Sequence, residues 1–89
     1  MASVKFGSPY HKITGTEHDF FDVISVGQLC DAVIKKYGDE MSFLLGENNR
    51  LSKEILVLLD GKNAFIMGDS DAPIFENTKV VILPSISFA

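Results

Sequence analysis

The side chains that most often bind metal ions are few in this sequence. His11, His18 and Cys30 are its only imidazoles and its only thiol. They fall in a predicted loop, a predicted strand and a predicted helix, without the paired spacing of zinc-binding motifs. Cys30 also lies among apolar residues at helical spacing, where a small packing residue is more common than a reactive thiolate. We therefore expect neither a metal site nor a catalytic cysteine.

Carboxylates are the other candidates for chemistry. Asp60, Asp69, Asp71 and Glu76 could act as paired acids, but each lies next to Gly, Ser or Asn. Acids in such segments usually accept local hydrogen bonds in turns, so we expect solvated turn residues. The sequence has no nucleophile and base signature, no phosphate-binding glycine loop and no dinucleotide fingerprint. It indicates no catalytic residue and no cofactor, and we expect that the protein is not an enzyme.

Composition limits the class of protein further. A chain of 89 residues, 46% of them hydrophobic, is long enough for one core but not for two. Its net charge of −4 and its scattered Lys and Arg residues do not form the basic surface that nucleic acids require. There is no signal-peptide pattern and no apolar run of about 20 residues. Together with the single cysteine, this predicts a cytoplasmic domain that binds neither nucleic acid nor membrane.

One helix is the clearest element. Ser25 and Gln28 have the spacing of a capping box at its beginning, and Gly38 follows its predicted end at about Tyr37. Its apolar positions recur at helical spacing and predict one face that packs on a sheet. They are Val26, Leu29, Cys30, Val33, Ile34 and Tyr37. A second apolar group at residues 41–45 predicts one or two further helical turns.

Five segments have the composition of strands. They are residues 4–6, 16–24, 55–59, 62–67 and 79–83. The first two predict a hairpin. Residues 55–59 form a continuous apolar run before the Asp60-Gly61 turn signal, as expected of a central strand covered on both faces. We expect the apolar helix face to pack on alternate residues of the central and last strands. These residues are Ile55, Val57, Leu59, Val80 and Ile82.

The order of hairpin, helix and later strands is that of an α+β domain. It fits a β-grasp, or ubiquitin-like, architecture in which a mixed sheet of four or five strands packs on one main helix. Composition and periodicity alone leave other small α+β folds open. We assign residues 1–84 to this domain and residues 85–89 to a C-terminal tail.

The tail is the candidate functional site. It begins where a proline ends the last strand, and it contains two apolar side chains, Ile86 and Phe88. These side chains either fold back onto the domain or insert into a partner protein, as exposed apolar groups commonly do. The candidate residues for partner docking or carboxylate activation are Pro84, Ser85, Ile86, Ser87, Phe88 and Ala89.

Several short motifs after residue 55 resemble those of a known family. They are Asp60-Gly61, Gly68, Asp71-Ala72-Pro73-Ile74, Glu76-Asn77 and Val80-Val81-Ile82-Leu83-Pro84. With the preceding hairpin and helix, they resemble the sulfur-carrier family typified by ThiS of thiamine synthesis and MoaD, the small subunit of molybdopterin synthase. The segment from 38 to 52 is longer than in ThiS proteins and favours the MoaD type. The resemblance implies a role in molybdopterin or tungstopterin cofactor synthesis, with an activating enzyme or the large synthase subunit as partner.

The end of the sequence departs from that family. Aligning Pro84 with the family's strand-ending proline places Phe88 and Ala89 where the family has two glycines. In the family, the terminal glycine is adenylated and converted to a thiocarboxylate, and glycine suits a narrow tunnel because it has no Cβ. The resemblance thus implies a MoaD-like protein that acts through its tail, while Phe88-Ala89 argues against carrier activity. The alternative is a non-carrier ubiquitin-like interaction module that docks on a partner protein.

Overall fold

A five-stranded mixed sheet with one long helix on it forms this fold in the computed structural model, which describes residues 1–85. The strands are β1 (Ala2–Phe6), β2 (His18–Phe21), β3 (Ile55–Leu59), β4 (Lys62–Asn63) and β5 (Lys79–Pro84). The α-helices are α1 (Tyr10–Thr14) and α2 (Val26–Tyr37). The 3₁₀ turns are Asp39–Leu44, Glu47–Asn49, Ala64–Ile66 and Asp69–Asp71.

The sheet has the strand order β2-β1-β5-β3-β4. β1 pairs in parallel with β5, while the other neighbouring strands are antiparallel. The hairpin of β1 and β2 therefore lies on one side of β5, and the hairpin of β3 and β4 lies on the other. With α2 between the two hairpins in sequence, this is the β-grasp fold, and the predicted fold class is confirmed.

The ends of α2 follow from local sequence. The Ser25 hydroxyl accepts a hydrogen bond from the Gln28 N–H at 3.2 Å. In an ordinary capping box, the Gln28 side chain would accept a hydrogen bond from the N–H of the N-cap residue Ser25. Here its oxygen accepts from the N–H of the preceding residue, Ile24, at 3.2 Å. Gly38 ends the helix with a φ of 91°, a conformation that favours glycine, and its N–H donates to the Ile34 carbonyl at 2.7 Å.

The predicted packing of α2 on the sheet is confirmed. Val26, Leu29, Cys30 and Val33 are at most 1% exposed, whereas Ile34 and Tyr37 are only partly buried. The same core contains the inward-facing residues of the three middle strands. These are Ala2, Val4, Phe6, Ile55, Val57, Leu59, Val80 and Ile82.

Three segments differ from the sequence prediction. The expected loop after β1 contains α1, and the second strand is shorter than predicted, at His18–Phe21. The expected strand over 62–67 stops at Asn63, because the Asn63 side chain accepts a hydrogen bond from the Phe65 N–H at 2.9 Å and caps a 3₁₀ turn. The helical turns predicted near 41–45 are confirmed as the 3₁₀ turn Asp39–Leu44.

Candidate functional site

The sheet face opposite α2 carries a row of apolar side chains. Alternate residues of β3 and β5 are buried under α2, so the intervening residues point to the other face. There, Leu58 pairs with Val81 and Leu56 pairs with Leu83 across the two strands. All four are only partly buried. We call Leu56, Leu58, Val81 and Leu83 the open-face patch.

This patch corrects one expectation from the sequence. The continuous apolar run of β3 predicted a strand covered on both faces, but the side chains of Leu56 and Leu58 are partly exposed. The described part of the chain supplies a helix for one face of the sheet only. Contiguous exposed apolar surface of this kind typically marks a site of protein interaction.

Polar and aromatic side chains border the open-face patch. Lys5 is opposite Val81 in the parallel pairing of β1 with β5, and it is exposed. Farther out, His18 pairs with Lys5, and Phe20 pairs with Ser3. Phe20 is 61% exposed. The open face therefore combines an apolar centre with a basic and aromatic border on the β1 side, as is common for protein-binding surfaces.

The base of the predicted tail lies at the end of this patch. Pro84 pairs with Ile55 in the register of β5 and β3. The next residue, Ser85, donates its N–H to the Glu54 carbonyl at 2.9 Å, which holds Ser85 beside the beginning of β3. The predicted site residues Pro84 and Ser85 are thus placed next to Leu83. The other predicted site residues lie outside the described residues; they are Ile86, Ser87, Phe88 and Ala89.

A groove lies between the patch and the base of the tail. Leu56, Leu83, Pro84 and Ser8 line it, and its volume is about 460 Å³. Ser8 comes from the connection after β1 and was not predicted as a site residue. Sequence patterns gave no signal for it, because it reaches the groove only through the parallel pairing of β1 with β5.

Gly7 determines the shape of this groove. A Cβ at residue 7 would lie 2.2 Å from Leu83 Cδ2 and 3.2 Å from the Ile82 carbonyl oxygen. The Gly7 N–H also donates to that carbonyl at 2.9 Å, which holds the two backbones together. A side chain here would displace Leu83 from its present position. Gly7 is therefore a positioning residue of the groove that sequence reasoning missed.

The candidate chemical groups of the sequence do not gather at this site. Burial, followed by the nearby carboxylates of Asp31 and Asp69, raises the pKa of Cys30 to about 12. Its thiol is therefore protonated at neutral pH, as expected of a packing residue. Among residues 1–85, no three His, Cys, Asp or Glu side chains are grouped to hold a metal ion.

The predicted turn acids differ in what they bind. The Asp60 carboxylate accepts from the Lys79 N–H at 2.9 Å. Asp69 accepts from both the Ser70 N–H and the Leu51 N–H at 2.7 Å. The second bond joins residues far apart in sequence, so Asp69 also holds the 47–51 loop to the turn at 69–71.

A charged cluster ties the edge of the sheet to α2. Lys36 Nζ lies 2.6 Å from Asp19 Oδ2, and the Tyr37 hydroxyl donates to the same oxygen. Burial raises the pKa of Asp19, but hydrogen bonds from Lys36, Tyr37 and the Phe20 N–H outweigh it and hold that pKa below its usual value. Because Asp19 points toward α2 and away from the open face, the cluster stabilises the fold and does not belong to the candidate site.

In the described range, neither α-helix has the length and hydrophobicity required to cross a membrane. Fold and surface together define the class: a ubiquitin-like β-grasp domain whose open sheet face continues to Pro84 and Ser85. Comparison with solved structures gives the same class.

The domain is similar to one chain in the crystal structure of the BexX/CysO complex of Amycolatopsis orientalis. The two chains share 18% identity with a TM-score of 0.88, and the match covers 100% of this chain and 100% of that one. It is also similar to small archaeal modifier protein 1 of Methanosarcina acetivorans, with 18% identity and a TM-score of 0.82 over 99% of this chain and 95% of that one. A protein from Pyrococcus furiosus assigned as subunit 1 of a molybdopterin converting factor has 13% identity and a TM-score of 0.76, over 96% and 97% of the two chains.

No protein-family model matches the sequence, and no curated protein sequence matches it. At identities of 13–18%, the structural likeness establishes the ubiquitin-like fold. The resemblance to the MoaD and ThiS family is thus confirmed at the level of the fold, since the structures that share it include a molybdopterin converting factor subunit.

Proposed function

We propose that this chain is a MoaD-like protein, of the sulfur-carrier type, that acts by docking its open face and C-terminal tail on a partner protein. One observation carries the proposal: the open-face patch is continuous with the base of the tail. Leu56 and Leu83 pair directly across β3 and β5, and Pro84 and Ser85 follow at the same end of the sheet. A partner that covers the patch would therefore receive the tail as well.

The partner in this proposal is an activating enzyme or the large subunit of a molybdopterin or tungstopterin synthase. The open face fits a protein surface because its centre is apolar and its border is polar. With 12 acidic residues against 8 basic ones, the chain suits neither nucleic acid nor an anionic membrane surface. The chain itself would act without catalysis, in the cytoplasm, and the enzyme would be its partner.

The carrier chemistry of this family would require a reactive carboxylate at the end of the tail. An activating enzyme would join that carboxylate to the AMP portion of ATP and release pyrophosphate. A sulfur donor would then replace AMP and leave a thiocarboxylate. For a chain that ends at Ala89, the ring of Phe88 would stand next to the reacting carboxylate, where a glycine would occupy far less space. We therefore expect docking to be retained and adenylation to be slow.

Intact mass measurement tests this proposal. The native chain and a variant carrying Phe88→Gly and Ala89→Gly are each incubated with ATP and an activating enzyme of the MoaD type. We expect an AMP adduct on the double variant and little or none on the native chain, because the variant has a narrow and extended tail. Equal rates for the two chains would show that glycine is dispensable at these positions.

The second candidate is a non-carrier interaction module, and the residue types at 88 and 89 favour it. In that case the double variant would form no adduct, although native and variant chains would both bind the partner. Calorimetric titration of the same partner measures that binding directly. If the folded protein neither binds nor reacts with an activating enzyme or a large synthase subunit, the MoaD-like proposal is wrong.

A further inference from the structure

The open face of the sheet carries charge of the opposite sign to the whole chain. The chain has 12 acidic and 8 basic residues. Because side chains alternate along a strand, the burial pattern and the pairing show which strand residues point away from α2. They are Ser3, Lys5, His18, Phe20, Leu56, Leu58, Asn63, Lys79, Val81 and Leu83. These strand residues include lysines and a histidine but neither Asp nor Glu.

The acidic residues close to these strands in sequence lie elsewhere. Asp19 is on β2 but points toward α2, where it pairs with Lys36. The others lie beyond the ends of the strands. They are Glu17, Asp22, Glu54 and Asp60. The Asp60 carboxylate accepts from the backbone N–H of Lys79 at 2.9 Å, so it is engaged with the main chain of β5.

Lys5 and Lys79 form what we call the basic corner of the open face. Lys5 lies opposite Val81 in the parallel pairing of β1 with β5, and Lys79 precedes Val81 by two residues on the same face. At the spacings of a sheet, the Cα atoms of the two lysines are about 8 Å apart. Both side chains are exposed, and neither forms an ion pair with residues 1–85. Two such cations repel each other, so the basic corner does not stabilise the folded domain.

An acidic protein surface fits this arrangement. Nucleic acids are bound by clusters of Lys and Arg that contact many phosphates, whereas the basic corner has two lysines beside an apolar patch. A protein surface with apolar side chains at its centre and carboxylates at the matching edge would cover the open-face patch and pair with both lysines. Opposite charges on the two surfaces would also raise the rate of association.

We propose that the partner docked on the open face presents an apolar surface bordered by carboxylates, and that Lys5 and Lys79 pair with those carboxylates. This inference rests on the proposed function, because it names the chemistry of the partner at the same face. An acidic partner would be repelled by the chain as a whole, which has a net charge of −4. The basic corner would therefore select the orientation in which the two proteins meet.

Association rates at two ionic strengths test this inference. The immobilised probe is an activating enzyme of the MoaD type or a large synthase subunit, whichever binds the full native chain. The Debye length falls from about 30 Å at 0.01 M salt to about 8 Å at 0.15 M. Over that range we expect the association rate of the native chain to fall about tenfold, as electrostatic attraction is screened.

Charge reversal separates the basic corner from the net charge. Lys5→Glu should lower the association rate at low salt by about tenfold and remove its decrease with salt. Lys35→Glu is the matched control, because it changes the net charge by the same amount from an exposed position on α2, on the other side of the sheet. Its rate should stay within about twofold of the native rate. Lys79→Glu repeats the test from β5 if the Lys5 variant does not fold.

Three results would overturn the inference and leave docking intact. The first is a native association rate that is constant or rises with salt. The second is an equal loss of rate for Lys5→Glu and Lys35→Glu, which would assign the effect to net charge. The third is sedimentation of the native chain with phosphatidylserine vesicles, which would assign the basic corner to a membrane surface. If the native chain binds neither probe, the proposed function itself is wrong, so the two failures are distinguishable.

Discussion

The ammonium group of Lys36 lies 2.6 Å from the carboxylate of Asp19, and this pair joins the last turn of α2 to the edge strand β2. Tyr37 donates its hydroxyl to the same carboxylate oxygen. Asp19 Oδ1 accepts from the Phe20 N–H at 2.8 Å. The Asp19 carboxylate therefore connects the helix to the sheet. It also accepts the hydrogen bond of the Phe20 N–H on the edge strand, so that this N–H is not available for pairing with another strand.

The first prediction concerns acid stability. The folded-state pKa of Asp19 is lowered, so this group stabilises the fold above the ordinary aspartate pKa of about 4. That contribution should be lost as the pH falls through the folded-state pKa, because protonation removes the acceptor for Lys36 and Tyr37. Urea midpoints measured from pH 7 downward should show the loss in the native chain. Asp19→Asn should show a weaker dependence on pH below about 4, and an unchanged dependence would contradict the assignment.

The second prediction isolates the tyrosine hydroxyl. Tyr37→Phe should lower the free energy of unfolding by about 1.5–3 kcal/mol, the usual net contribution of a hydrogen bond to a charged group. The ring should keep its edge-to-face contact with Phe6, whose centroid is 5.7 Å away. Urea denaturation at neutral pH measures the loss. In the background of Asp19→Asn the same substitution should cost less, because its acceptor is no longer charged.

The third prediction concerns the core under α2. Val33 is fully buried, whereas Ile34 is only partly buried. Val33→Ala should lower the free energy of unfolding by about 1–4 kcal/mol, through lost burial and a residual cavity. Ile34→Ala should cost less although it removes more atoms, because the exposed part of its side chain contributes little. Chemical denaturation that ranked the two in the reverse order would contradict the burial of Val33.

The fourth prediction concerns the groove. Gly7→Ala should displace the Leu83 side chain, whose Cδ2 would otherwise lie 2.2 Å from the new methyl group. We expect a large change in the Leu83 methyl shifts and only a small loss of stability, because the atom displaced is the end of a flexible and partly exposed side chain. Gly46→Ala is the matched control, because its Cβ would meet neighbours at the ordinary distances of 3.7 and 3.8 Å. Unchanged Leu83 methyls in the Gly7 variant would show that Gly7 does not position the groove.

The fifth prediction tests docking through the open-face patch. Leu58→Ser should weaken binding to an activating enzyme or large synthase subunit by about tenfold, since it removes one apolar contact of roughly 1.4 kcal/mol. Ile66→Ser is the control, because Ile66 is 84% exposed and lies outside the patch. Calorimetric titration measures both variants. Equal affinities for the native chain and the Leu58 variant would remove the patch from the docking surface.

Features that depend on neighbours within a few residues could be predicted from the sequence. The capping interaction of Ser25 with Gln28 and the glycine at 38 define α2, because helix ends are decided by local backbone hydrogen bonds. The expectation that Val80 and Ile82 face α2 is confirmed, and both lie on one face because the side chains of a strand point alternately to its two sides. Helix, strands and their order were therefore sufficient to predict an α+β domain compatible with a β-grasp, whereas the resemblance to a known family was needed to choose that fold among small α+β folds.

Contacts between side chains of different strands could be read only from the folded chain. The parallel pairing of β1 with β5 brings Gly7 and Ser8 to Leu83, and the residues concerned are too far apart in sequence for any local pattern to signal it. The apolar run of β3 could not reveal that its second face stays partly exposed, because coverage depends on layers formed by other segments. The contacts of Asp19 with Lys36 and Tyr37 likewise depend on the packing of α2 against the sheet. No spacing in the sequence indicates a contact between an edge strand and the end of a helix.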